Sequence, residues 1–216
     1  MSSRKRTSEY TAPQILTLGL TGLIGSGKSY VAQMLADRGL PVYDCDRRAK
    51  ELYNEDPILK ARMVDLFGES IYDSKTGLLD KQRLAGIIFS DKGKLAEVNA
   101  LVHPAIRHDF SSWRSKQMEQ GSKACIIESA ILLQASLVSY VDYIVVVAAS
   151  EALRLQRACM RDKVDEAVIR ERMRHQLSQD ELIRQADFVV RNEPNQALQP
   201  QLDTLLLQLS YTPKGR

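Results

Sequence analysis

Closely spaced cysteines are missing from this chain of 216 residues. Its three cysteines, Cys45, Cys125 and Cys159, lie far apart in the sequence. Zinc sites and redox-active dithiols need cysteines in close pairs, so we expect neither kind of site. Thiols that stay reduced are typical of the cytosol, and the sequence therefore predicts a cytoplasmic protein.

Long apolar runs are missing as well. The longest, around Tyr143 to Ala149, falls far short of the roughly 20 residues that a helix needs to cross a bilayer. No apolar stretch follows the basic beginning of the chain, as it would in an export signal. We therefore expect no membrane partner.

Charge of one sign is scarce outside the two ends. The formal net charge is +3, but residues 1–14 and residues 211–216 each carry +2, which leaves −1 for the remainder. Nucleic-acid binding needs clustered cations, often together with stacking aromatic side chains, and only 6% of this chain is aromatic. The sequence thus predicts no nucleic-acid partner, and we expect residues 1–14 to be a disordered tail and residues 211–216 a second tail.

Strand-like and helix-like segments alternate along the rest of the chain. Apolar, β-rich runs predict strands at Ile15–Leu20, Pro41–Asp44, Ala124–Ile127, Tyr143–Ala148 and Phe188–Val190. Helical spacing of apolar residues predicts helices at about 28–38 and about 199–209. Because strands separated by helices form parallel sheets, we predict an α/β fold with three layers, a parallel sheet between helices.

Two insertions interrupt this alternation. The segment 53–121 is predicted to be helical, with a turn at 73–77 and a helix start at His103–Pro104, where proline suits a first turn. We interpret it as a substrate subdomain. The charge-dense segment 161–185 is either a mobile lid or a solvated helix face. The remaining segments, 15–52, 122–160 and 186–210, would then form a nucleotide-binding core.

A phosphate-binding loop lies between the first predicted strand and the first predicted helix. Its glycines and its final Lys-Ser match the pattern GxxxxGK[ST], and the residues in question are Gly22, Leu23, Ile24, Gly25, Ser26, Gly27, Lys28 and Ser29. In such loops main-chain N–H groups surround the phosphates, the lysine reaches the β- and γ-phosphate oxygens, and the hydroxyl binds Mg²⁺. The sequence therefore predicts ATP and Mg²⁺ as cofactors.

A phosphate loop alone does not separate kinases from other nucleotide-binding proteins. The Asn-Lys-x-Asp motif of GTPases is absent, and so is the apolar run ending in Asp-Glu that many motor ATPases contain. Asp44 and Asp46, at the carboxyl end of the second predicted strand, could instead accept the proton of a substrate hydroxyl or orient it. Asp44 could also form a turn or a metal-water contact, and Asp46 could be the N-cap of a helix beginning at Arg47.

Arginines recur at helical spacing further along the chain. Arg154, Arg157 and Arg161 are three and then four residues apart, so they are predicted to share one helix face. They could stabilise charge on a transferred phosphoryl group, or they could form surface ion pairs with Glu151 or Asp162.

Several motifs beyond the loop resemble those of dephospho-coenzyme A kinases, over residues 15–210. The loop itself, from Leu20 to Ser29, and Asp44-Cys45-Asp46 both look like motifs of that family. So do Leu79-Asp80, Arg83-Leu84, Phe89, Asn99, His103-Pro104-Ala105-Ile106, Gln156-Arg157, Arg161-Asp162, Gln176, Ala186-Asp187 and Asn192. The resemblance implies the P-loop kinase fold, and transfer of the ATP γ-phosphoryl group to the 3′-hydroxyl of dephospho-coenzyme A.

The resemblance also implies roles for single residues. Asp46 would face the accepting hydroxyl with Asp44 nearby, and Arg157 and Arg161 would close on the phosphates. The remaining implied contacts are Thr21, His103 and Arg107 with the acceptor, Asn192 with the adenine of ATP, and Tyr30 with the nucleotide.

Three residues depart from the family's commonest pattern: Tyr30 for Thr, Glu128 for Asp and Gln134 for Glu. Glu128 keeps a carboxylate at a strand end, so we expect it to contact Mg²⁺ through water. Two rival interpretations remain from the residues: a kinase for a nucleoside monophosphate or shikimate, and a nucleotide-binding switch without turnover.

Overall fold

The computed structural model describes residues 15–134 and 137–209. The predicted tails at 1–14 and 211–216 lie outside these residues. Of the described residues, 45–113 form one compact unit, and 15–44 together with 114–209 form another. The substrate subdomain that we predicted at 53–121 overlaps the first of these over 53–113, and its limits stay a prediction.

A five-stranded parallel sheet forms the centre of the larger unit. The strands are β1 (Leu16–Thr21), β2 (Val42–Asp44), β3 (Ala124–Glu128), β4 (Tyr143–Ala148) and β5 (Phe188–Arg191). They are ordered β2-β3-β1-β4-β5, and every pairing is parallel. The predicted α/β fold and its parallel sheet are confirmed.

Consecutive residues of the central strands β1, β3 and β4 are buried because both faces of the sheet are covered. In β4 every residue after Tyr143 is buried, and β3 is buried throughout. Helices α1 (Lys28–Ala36) and α9 (Leu198–Gln208) contribute the apolar residues of the same core, among them Val31, Leu35, Leu202 and Leu206. The helix predicted at about 199–209 thus packs against the sheet through Leu202, Leu205 and Leu206.

Between β4 and β5 lie three helices of the larger unit: α6 (Glu151–Asp162), α7 (Glu166–Arg174) and α8 (Gln179–Gln185). Leu155 and Ala158 of α6 pack with Ile169 of α7 in a small core of their own. A capping box formed by Ser178 and Glu181 begins α8.

The smaller unit is mainly helical. It contains α2 (Cys45–Glu55), α3 (Pro57–Phe67) and α4 (Lys81–Ser90), and α5 (Lys92–Glu119) begins within it. Asp56 and Asp80 accept main-chain N–H bonds at the first turns of α3 and α4, as N-cap residues do. In the described part of the chain, no helix combines the length and the apolar character that crossing a bilayer requires.

The predicted helix start at His103–Pro104 is wrong, because Pro104 lies inside α5. Interior proline costs a helix one main-chain hydrogen bond. The buried residues Val98, Val102, Ile106 and Phe110 are spaced four apart on both sides of the proline. Burial of this continuous apolar stripe offsets the local cost, and the helix therefore continues through Pro104.

Candidate active site

The phosphate loop runs from the end of β1 to the start of α1, as predicted. Gly25 and Gly27 have φ angles of 76° and 86°, in the left-handed region that favours glycine. Gly27 is also the N-cap of α1, so the positive end of the helix dipole faces the loop.

Glycine is required in this loop because other groups approach its main chain closely. A Cβ atom at Gly22 would lie 2.7 Å from the carbonyl oxygen of Val147 in β4. A Cβ at Gly25 would collide with the carbonyl of Arg154 in α6, and one at Gly27 with the side-chain amide of Asn192. Strand β4, helix α6 and Asn192 thus all contact the outer side of the loop's main chain.

Lys28, Ser29 and Glu128 meet at the carboxyl end of the sheet. The Lys28 ammonium donates to Glu128 Oε1 at 2.8 Å, and the Ser29 hydroxyl donates to the same oxygen at 2.7 Å. Glu128 ends β3 and is only 3% exposed. A buried carboxylate needs a partner of opposite charge, and the Lys28 ammonium is that partner. Asp44, the last residue of β2, is the register partner of Glu128 in the neighbouring strand.

Two hydroxyl groups in this region are buried and have no hydrogen-bond partner among the described residues. They are Thr21 Oγ1, at the end of β1, and Ser26 Oγ, inside the loop. Buried hydroxyls normally have a partner, and one without it suggests a group that binds there. Together with the glycine positions, these hydroxyls fit a loop that surrounds a phosphate.

Asn192 contacts the loop, and Arg157 in turn contacts Asn192. The Asn192 side-chain amide donates to the carbonyl of Ser26 at 2.8 Å. Arg157 donates to the main-chain carbonyl of Asn192 at 3.2 Å and to its Oδ1 at 3.4 Å. The structure therefore brings Asn192 to the loop and Arg157 to Asn192, although both residues are distant from the loop in sequence.

The predicted arginine row lies on α6, and its members have different partners. Arg154 is 6% exposed, and its Nε donates to the carbonyl of Ala149. Arg161 has a side chain that is 63% exposed and pairs with Asp162 at 2.7 Å. The surface ion pair that the sequence left open is therefore formed at Arg161, because the neighbouring carboxylate is its nearest partner.

Tyr30 and Ser29 follow the loop lysine in the first turn of α1 and are exposed; Tyr30 is 62% exposed. Leu23 is buried, and Ile24 is partly buried beside α6 and α7. The loop is therefore anchored through its two apolar side chains, while Tyr30, the residue that follows the loop, is exposed.

Three further predicted site residues belong to the smaller unit. Asp46 is exposed in the first turn of α2, a helix that begins at Cys45 rather than at Arg47, so Asp46 is not its N-cap. His103 and Arg107 lie one turn apart on α5. Burial, and then the Arg107 charge, lower the pKa of His103, so the imidazole is held neutral at neutral pH.

Sequence reasoning missed two contacts. Gln176, in the connection between α7 and α8, accepts a hydrogen bond from the main-chain N–H of Ile24 at 3.0 Å. Arg48 of α2 forms two hydrogen bonds with Asp109 of α5, at 3.1 and 3.0 Å. No local pattern could have found either one, since both depend on which helices pack together.

The segment 161–185 contains α7, α8 and their connection. Its arginines form exposed ion pairs with acidic residues on the same helix or the one before it: Arg170 with Glu166 and Glu151, Arg172 with Asp162, and Arg174 with Glu171. Exposed pairs of this kind contribute little to stability. They leave the segment's arginines at the surface.

The chain is similar over most of its length to proteins named dephospho-CoA kinase. A family model described as CoaE, dephospho-CoA kinase, matches residues 16–197. The relative from Porphyromonas gingivalis is 40% identical over 189 residues, which cover 87% of this chain and 91% of the relative. The relative from Chlorobaculum tepidum is 39% identical over 181 residues, covering 82% and 86%. Both relatives are named dephospho-CoA kinase.

Solved structures show the same architecture. The crystal structure of TT1252 from Thermus thermophilus matches with a TM-score of 0.78 and 28% identity, covering 90% of this chain and 98% of that one. A dephospho-CoA kinase from Campylobacter jejuni matches with a TM-score of 0.66 and 20% identity, covering 90% and 96%. At 20% identity the second likeness establishes the fold.

Proposed function

Because the chain belongs to the dephospho-coenzyme A kinase family, we propose that this site transfers the γ-phosphoryl group of ATP to the 3′-hydroxyl of dephospho-coenzyme A. The products are ADP and coenzyme A, and the reaction is the last step of coenzyme A biosynthesis. The chain is accordingly an ATP-dependent phosphotransferase with an alcohol acceptor. The family resemblance of the sequence motifs is confirmed by the match over residues 16–197.

The observation that carries this proposal is the construction of the phosphate loop. Its glycines allow close contacts on the outer side of its main chain, two buried hydroxyls lack partners among the described residues, and Lys28 is the first residue of α1. Phosphoryl transfer depends mainly on positioning and on neutralising charge. Such a loop supplies both for the ATP phosphates, and we assign Lys28 to their β and γ oxygens.

We assign Mg²⁺ to Ser29 and Glu128. Mg²⁺ prefers oxygen ligands, usually a few carboxylate or hydroxyl oxygens together with water and substrate phosphates. Ser29 Oγ and Glu128 Oε1 are 2.7 Å apart, so the chain already brings two such oxygens together. When bound, the ion would neutralise charge on the phosphates.

Asp46 is the proposed group that orients the 3′-hydroxyl or accepts its proton. Its support is the position of its carboxylate: exposed, in the first turn of α2, two residues after β2 ends at Asp44. Ligands of open α/β sheets bind at the carboxyl ends of the strands, which is where β2 leads. Asp44 would assist from the strand end itself.

The other assignments follow the family pattern. Arg157 and Arg161 would neutralise phosphate charge. For Arg157 this assignment is supported by its hydrogen bonds to Asn192, which itself contacts the loop. Asn192 would border the adenine. We assign Thr21, His103 and Arg107 to dephospho-coenzyme A.

We further propose that the protein acts in the cytoplasm. Its three cysteines are free thiols, as a reducing compartment would keep them. Burial raises the pKa of Cys125 to about 11, so this thiol stays protonated at neutral pH.

The test is a comparison of acceptors. Purified protein with Mg-ATP is offered dephospho-coenzyme A, its 3′-deoxy analogue, adenylate, cytidylate and shikimate, and ADP release is measured with each. We expect kcat/KM for dephospho-coenzyme A to exceed the others by at least about 100-fold, with coenzyme A identified by mass. Comparable turnover of shikimate or of a nucleoside monophosphate would overturn the proposal, as would turnover of the 3′-deoxy analogue.

A further inference from the structure

A side chain of the segment 161–185 forms a hydrogen bond with the main chain of the phosphate loop. The side-chain carbonyl of Gln176 accepts a hydrogen bond from the main-chain N–H of Ile24, at 3.0 Å. Ile24 is the third residue of the loop. An N–H group that donates to Gln176 is not available to a phosphate, so this bond decides which of the loop's N–H groups remain for the ligand.

The side chain of Ile24 is held by the same part of the larger unit. It packs against the cluster formed by Leu155, Ala158 and Ile169, which joins α6 to α7. The next residue, Gly25, is pressed against the main chain of α6. The middle of the loop is therefore held in two ways, through the side chain of Ile24 and through the main chain at Gly25.

A second glutamine anchors the connection between α7 and α8. Gln179 Oε1 accepts a hydrogen bond from the main-chain N–H of Ala149, just after β4, at 3.2 Å. Gln176 and Gln179 thus attach the segment to the loop and to the end of the sheet. Its arginines, in contrast, pair with carboxylates at the surface.

We propose that Gln176 is a positioning residue, which holds the phosphate loop in its binding conformation through the N–H of Ile24. This inference rests on the proposed function, because it takes the loop as the ATP site. A neutral amide suits the role, since a carboxylate beside the loop would repel phosphates. Gln176 acts through the loop and has no part in the transfer step itself.

Hydrogen exchange tests the contact without any substrate. In the free protein, followed by NMR, Gln176→Met removes the acceptor while keeping the side-chain length. We expect exchange of the Ile24 amide to become about fivefold faster, the size expected for one ordinary hydrogen bond. Gln176→Glu keeps an acceptor oxygen at the same reach and should retain the protection. Gln185→Met, at an exposed position in the same segment, is the matched control and should leave Ile24 unchanged.

ATP binding tests the consequence. If the bond pre-organises the loop, its loss lowers the population that is competent to bind. We expect Gln176→Met to weaken Mg-ATP binding about fivefold by calorimetry, with kcat at saturating substrates within about twofold of the wild type. Gln185→Met should bind ATP normally. The melting temperatures of the three proteins should lie within a few degrees of one another, because only one hydrogen bond at a partly exposed position is lost.

Several results would overturn the inference. Unchanged Ile24 exchange in Gln176→Met would show that the bond does not hold the loop in solution. Unchanged ATP affinity, or a tenfold loss of kcat at saturation, would remove the positioning role. Failure of the wild-type protein to phosphorylate dephospho-coenzyme A would instead reject the proposed function, while exchange and ATP affinity would still decide the role of Gln176.

Discussion

Substitution of Gly25 by alanine measures how closely the phosphate loop packs against α6. Two separate effects act at this position. The left-handed φ of 76° disfavours any residue with a Cβ, and this costs about 1–2 kcal/mol. The Cβ would also collide with the carbonyl of Arg154, which lies in the main chain of α6 and is not the flexible end of a side chain.

Gly39 separates the two effects. Its φ of 87° is just as unfavourable for alanine, but among the described residues no heavy atom lies within 4 Å of an ideal Cβ there. Gly39→Ala should therefore show the conformational cost alone. Overpacking adds about 1–3 kcal/mol. We therefore expect the free energy of unfolding to be about 1–3 kcal/mol lower in Gly25→Ala than in Gly39→Ala. The loss of backbone entropy in the unfolded chain is the same for both substitutions and cancels in this comparison.

Equilibrium urea unfolding followed by circular dichroism measures this difference, because both glycines belong to the larger unit. Mg-ATP binding by calorimetry gives a second measurement. We expect Gly25→Ala to lose binding and Gly39→Ala to retain it. Equal losses of stability in the two variants, or normal ATP binding by Gly25→Ala, would refute the close approach of the loop to α6.

Three further predictions concern single side chains. Lys28→Ala should lower kcat/KM for ATP by at least about 100-fold in an ADP-release assay, because a cation at the phosphates is lost. Asp46→Asn should lower kcat by about 100-fold or more while the calorimetric ATP affinity stays within twofold, since an amide is a poor proton acceptor. His103 has a lowered pKa, so the unfolded chain takes up its proton first. The free energy of unfolding is therefore not reduced by His103 above about pH 6.5, and it falls as the pH drops below that value. In His103→Asn the urea midpoint should change less between pH 7 and pH 5 than in the wild type.

Matched controls for these predictions are the same changes at exposed positions: Lys123→Ala, Asp65→Asn and His108→Asn. Each should behave like the wild-type protein. Full activity of Lys28→Ala would reject the loop assignment, and unchanged turnover of Asp46→Asn would remove that carboxylate from the chemistry. A urea midpoint with the same pH dependence in His103→Asn as in the wild type would mean that another group titrates.

The strands and the phosphate loop were predictable because their causes are local. An apolar run such as Tyr143–Ala148 can be recognised from its own residues, and the structure has β4 at those bounds. The loop motif likewise lies between β1 and α1, with Gly25 and Gly27 in the left-handed conformations that only the absence of a Cβ makes easy. The alternation of strands and helices then implied a parallel sheet.

Predictions failed where packing between distant elements outweighed a local signal. Pro104 looked like a helix start, but the apolar stripe that includes Val102 and Ile106 continues past it and is buried. Helical spacing predicted that Arg154 and Arg161 share one face of α6, but it could not tell that one is buried and that the other pairs with its neighbour in sequence. Periodicity gives the direction of a side chain and does not give the partner it meets.

The sequence by itself determined the fold class, the phosphate loop, the family and the carboxylates at the end of the second strand, because each depends on residues close together in the chain. Only the tertiary structure decided that Glu128 meets both Lys28 and Ser29, and that the N–H of Ile24 is bound by Gln176, 152 residues away. Contacts at that separation depend on how whole elements pack. Nothing in the local sequence around Gln176 or Ile24 indicates that the side chain of one accepts a hydrogen bond from the main chain of the other.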